Sequence, residues 1–110
     1  MMNSMISKLL NALTNHSITA EVESVNDEIL VLSLEKEGIE YSLSLTTDNA
    51  LVQRSVYRFD IGYDWEDLLD VDNYDLALLC QTISNMFDEE ISNLELENEY
   101  MKSLENEENN

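Results

Sequence analysis

Residues 29–45 read ILVLSLEKEGIEYSLSL, and this stretch decides the fold. Leu30, Leu32 and Leu34 fall on one side of an extended chain, with Ile29, Val31 and Ser33 on the other, so Ile29–Glu35 reads as a strand. Lys36, Glu37 and Gly38 then turn the chain, with Gly38 free to take a positive φ, and Ile39, Tyr41, Leu43 and Leu45 resume the alternation. Two strands with one apolar face each make an antiparallel hairpin that must bury that face against something else.

On the N-terminal side, Asn26 and Asp27 mark a turn. Before it, Ile18, Ala20 and Val22 alternate with Thr19, Glu21 and Glu23, which predicts a strand over Ser17–Ser24. Earlier still, Met5, Ile6, Leu9, Leu10 and Leu13 share one side of a helix that leaves Lys8 and Asn11 outside and ends near Thr14 and Asn15. On the C-terminal side, Thr46–Asn49 reads as a turn, although Asp48 is also able to cap a short helix through Leu51 and Val52. Tyr57, Phe59, Ile61 and Tyr63 alternate with Val56, Arg58, Asp60 and Gly62, which predicts a fourth strand over Ser55–Tyr63. Trp65–Asp75 reads as a polar loop or single helical turn pinned by Trp65, Leu68 and Leu69. A long helix begins at about Asp72 to Asp75, with Leu76, Leu79, Cys80, Ile83, Phe87, Ile91 and Leu94 on one stripe. The expectation is a single α+β domain over residues 1–99: an N-terminal helix, a three- to four-stranded antiparallel sheet and a long C-terminal helix in two layers. Residues 100–110 read as frayed helix running into a disordered acidic tail.

The chain is 110 residues long, with 24 Asp and Glu against 5 Lys and Arg and a formal charge of −19. Such a surface repels phosphate backbones and anionic lipid, which argues against direct nucleic-acid or membrane binding. No apolar run approaches a membrane span, and Met1–Leu10 lacks the features of a signal peptide, so the expected location is the cytoplasm. One cysteine, Cys80, forms no internal disulfide, and with one histidine, His16, it builds no zinc site within the chain.

Enzyme chemistry finds little support, and no catalytic residue, metal or cofactor is expected. His16 sits at a predicted helix exit without a nearby acid, and Cys80 lies on the apolar stripe between Leu79 and Ile83. An EF-hand read from Asp70 places Tyr74 at the fifth position, Asp75 at the turning glycine and Gln81 at the closing glutamate. Between Arg58 and Lys102 stand 13 carboxylates and not one Lys or Arg. Seven of them (Asp60, Asp64, Glu66, Asp67, Asp70, Asp72 and Asp75) lie beside Tyr63, Trp65 and Tyr74, and these ten residues form the candidate partner-binding surface. A plainer reading makes the acids a solubilising surface and places Trp65 in the core.

In charge and layout, from roughly Met5 to Leu94, the chain resembles the small acidic DNA-mimic inhibitors of phages, most nearly the anti-CRISPR proteins that block a Cas nuclease. That resemblance implies a stoichiometric inhibitor, monomeric or weakly dimeric, in a bacterial host cell. Its partner would be a basic nucleic-acid-binding protein such as a Cas nuclease or guide-RNA complex. The competing expectation is an acidic secretion chaperone or immunity-type binding module, which would use an apolar outer sheet face including Ile29 and Val31.

Because the final residues lack the apolar side chains that offset ordering entropy, deleting 103–110 is expected to leave the urea unfolding midpoint and its cooperativity unchanged. Loss of a cooperative transition in the truncated chain would show that this segment belongs to the folded unit.

Overall fold

The computed structural model describes residues 2–108, with side chains described for 5–104. Helix α1 (Met2–Asn15) is followed by strands β1 (Thr19–Val25), β2 (Leu30–Lys36), β3 (Ile39–Leu45), β4 (Asn49–Arg58) and β5 (Gly62–Asp72), then helix α2 (Leu76–Glu108). The strands form one antiparallel meander in the order β1-β2-β3-β4-β5. The α+β class and the flanking helices agree with the sequence reading, and the sheet has five strands rather than three or four.

The decisive hairpin forms, with Leu34 opposite Tyr41 and Leu32 opposite Leu43, and Lys36, read from the sequence as part of the turn, instead pairs with Ile39 in the ladder. Glu37 and Gly38 make the two-residue turn, both with positive φ, 50° and 86°, the pair of left-handed residues that matches strand twist. At the β1–β2 turn the Asn26 side chain accepts hydrogen bonds from the amides of Glu28 and Ile29.

Two sequence assignments are corrected. The strand predicted over Ser55–Tyr63 straddles a hairpin: β4 begins at Asn49, Phe59–Ile61 turn the chain, and Gly62 at φ 84° opens β5. The predicted loop over Trp65–Asp75 is mostly β5 itself. Residues paired across this turn, such as Tyr57 and Tyr63, differ by an even number, so one alternation runs through the turn without a visible break. Leu68 is an extra residue between the Val52–Leu69 and Gln53–Asp67 pairs, and this bulge sets two leucines side by side where alternation would separate them.

Both helices cover the same sheet face. Leu9 and Leu13 of α1, and Leu79, Cys80, Ile83 and Phe87 of α2, lock onto Leu30, Leu32, Leu34, Leu43, Leu45, Ala50 and Val52. Asp75 caps α2 by accepting the Leu78 amide at 2.9 Å. Burial raises the Cys80 thiol pKa, as expected of an inert core cysteine. The helix continues beyond Glu99 into the segment expected as tail, and every residue from Ser92 to Leu104 is exposed.

Tyr41 stacks on Phe87 with ring centroids 4.3 Å apart and donates its hydroxyl to Glu90. Burial first, and then that hydrogen bond, push its pKa well above the ordinary phenol range. Above pH about 10 an unfolded tyrosine surrenders its proton while folded Tyr41 retains it, so stability is full below that pH and falls as pH rises. The urea midpoint is expected to drop between pH 9 and 11, and Tyr41→Phe to flatten that drop; an equal slope in the variant would place the alkaline loss elsewhere.

Candidate functional site

The β3–β4 ladder stops at the Ser42–Gln53 pair, whereas β4 and β5 stay paired as far as Arg58 and Gly62. Beyond Gln53 these two strands form a ribbon that forks away from β3, with the Leu68 bulge at its base. The helix-facing side of the ribbon is ionic. Arg54 Nε lies 3.0 Å from Glu66 and its Nη1 3.1 Å from Glu90 on α2, while Arg58 Nε lies 3.3 Å from Asp64. The hydrogen bond to Glu66 raises the Arg54 pKa above its ordinary value, so this group stays cationic.

The opposite side and the tip are aromatic. Tyr57 meets Phe59 edge-on at 6.0 Å and Tyr63 at 5.3 Å. Phe59 is 99% exposed, and Ile61, Tyr63 and Trp65 are also largely in solvent. Two strands alone have no interior, so these edge-on contacts are the ribbon's own apolar packing.

The ten candidate residues are strung along β5 and both its faces rather than gathered in one loop. Asp60 is exposed in the turn, and Tyr63 and Trp65 lie on the aromatic side. Asp64 and Glu66 face the helix and hold Arg58 and Arg54. Asp67 accepts from Gln53 at 2.7 Å, and Asn49 donates to both Asp70 at 2.7 Å and Asp72 at 2.9 Å. Tyr74 is half-buried, its hydroxyl donating to the Thr46 carbonyl at 2.9 Å, and Asp75 is the helix cap. Trp65, Tyr63, Asp67 and Asp70 therefore share an accessible face, while Tyr74 and Asp75 serve the fold.

Sequence reasoning missed Tyr57, Phe59 and Ile61 as surface residues, although Gly62 was the available signal for a turn among them. It also missed a groove in the fork between β3 and β4. This concavity, about 530 Å³, opens at the fork: Ser33, Ser42 and Ser55 line it with Trp65, Glu23 and Glu40, and Tyr41 and Arg54 reach it from the helix-facing side. Among the described residues neither Glu23 nor Glu40 has a salt-bridge partner.

Among the described residues no three metal-ligating side chains converge, and no helix is long and apolar enough to cross a membrane. No family model, curated protein or solved structure matches the chain.

The side chains of Phe59 and Ile61 bury little, so Phe59→Ser with Ile61→Ser is expected to shift unfolding free energy by no more than about 0.5 kcal/mol. A larger loss in urea denaturation would show that the tip packs against the body in solution.

Proposed function

We propose that this chain is a stoichiometric inhibitor that mimics nucleic acid and occupies the basic DNA- or RNA-binding site of a protein such as a bacterial defence nuclease, acting in the host cytoplasm. The observation that supports this reading is where the few cations sit. Lys36, Arg54 and Arg58, three of five, are held by the chain's own carboxylates. Glu21, Glu23, Glu40, Asp67 and Asp70 on the sheet and Glu95 and Glu97 on α2 have no salt-bridge partner among the described residues.

Like charges about 6 Å apart repel by roughly 0.7 kcal/mol even in bulk water, so an unmixed acidic surface works against folding. A basic groove built for a polyanion relieves that repulsion on contact and releases counterions, as it does with nucleic acid. The outer sheet face is rich in serine and carboxylate, with Ser33, Ser42 and Ser44 beside Val31 and Leu51. The central part of that face, over β2 and β3, offers little apolar area to a wrapped segment, the exposed aromatics lying out on the ribbon, and this favours mimicry over the secretion-chaperone reading.

Affinity capture from nuclease-treated bacterial lysate is expected to recover a basic nucleic-acid-binding protein that added duplex DNA or RNA releases. With that protein purified, affinity should fall about tenfold or more between 50 and 200 mM salt. The variant Glu21→Gln, Asp67→Asn, Asp70→Asn should fold normally and bind more weakly. Capture indifferent to nucleic acid and to salt would overturn mimicry.

A further inference from the structure

We infer that the groove in the β3–β4 fork is a receptor for a guanidinium group, an arginine side chain of the partner. The inference deepens the proposed function and rests on it, because proteins that bind phosphate and read bases do so largely through arginine.

Four features of the groove favour that occupant. Trp65 is 56% exposed although it stands on the groove wall, which leaves indole surface for a planar cation to stack on. Glu23 and Glu40 bring negative charge to the same space and have no cation of their own among the described residues. Ser33, Ser42 and Ser55 are short enough to leave room and supply hydroxyl acceptors for guanidinium N–H groups. Arg54 also borders the groove, but Glu66 and Glu90 already bind it, so it adds no uncompensated positive charge.

Other occupants fit less well. A second copy of this chain would bring another −19 against the face, and an anionic membrane repels it in the same way. A lysine supplies charge without the flat surface that stacks on an indole and is more strongly hydrated.

Trp65 is the sole tryptophan, so its fluorescence reports the groove directly. The full-length protein is titrated with a capped four-arginine peptide, with a capped four-lysine peptide of equal charge as comparison. Saturable change in Trp65 emission is expected, with the arginine peptide binding about threefold or more tightly. By calorimetry, Glu23→Gln with Glu40→Gln should weaken binding about tenfold. Trp65→Leu should weaken it as well, while Trp65→Phe should retain part of the affinity. The control Asp27→Asn with Glu99→Gln removes the same charge at exposed positions outside the groove and should stay within about twofold of the parent.

Equal losses in groove and control variants, equal affinity for the two peptides, or unchanged Trp65 emission would each overturn the receptor assignment. Lysate capture and release by nucleic acid decide the broader reading separately. If the parent protein still yields a partner released by DNA or RNA while the groove tests fail, mimicry stands without this receptor. If the groove binds arginine while no captured protein responds to nucleic acid, mimicry falls and the groove remains.

Discussion

Everything in this molecule depends on burial from one side. The leucines of β2 and β3 point toward α1 and α2, and that single face carries nearly all the core, so the other face of the meander is open. The open face is possible because over β2 and β3 its residues are mostly serine and carboxylate, and it is where the groove forms. Covering both faces would have hidden Trp65 and the serines, and with them a concavity that combines an aromatic wall with carboxylates.

The same burial has to hold against the protein's own electrostatics. Few cations are present, and their positions are structural: Lys36 ties β2 to Asp88 of α2 at 2.8 Å, and Arg54 joins the ribbon to α2 through Glu66 and Glu90. Partly exposed pairs of this kind contribute modestly to stability, on the order of 1 kcal/mol or less each. Their larger effect is geometric: Arg54 ties the base of the forked ribbon to α2, and each pair consumes positive charge that would otherwise dilute the acidic surface.

What was legible in the sequence follows from how strongly each segment's pattern is tied to burial. The hairpin over residues 29–45 and the stripes of both helices were plain because buried leucines recur at the period of the element. The β4–β5 hairpin was hidden for a physical reason: Arg54 and Arg58 face the helix side, where carboxylates neutralise them, while Tyr57, Tyr63 and Trp65 face out, so polarity ran opposite to the usual rule. Among the candidate site residues, Trp65 lies exposed on the ribbon rather than in the core. Tyr74 and Asp75 proved to be a packing group and a helix cap, roles that composition alone does not distinguish from contact residues. Glu23 and Glu40 come together with Trp65 only through the fork, which no local pattern encodes.

Helix α2 runs for 33 residues, about 50 Å, yet its buried stripe ends near Ile91. The radius of gyration is 17.0 Å, against about 13 Å for a compact chain of this size. The outer half is thus a cantilever held at one end, with no basic residue in its last turn to complement the helix dipole. Without tertiary contacts, its persistence as a rod depends on the ionic atmosphere: added salt screens repulsion among its glutamates and stiffens it, and dilute buffer softens it. The protein's hydrodynamic dimensions are therefore a property of the solution as well as of the fold.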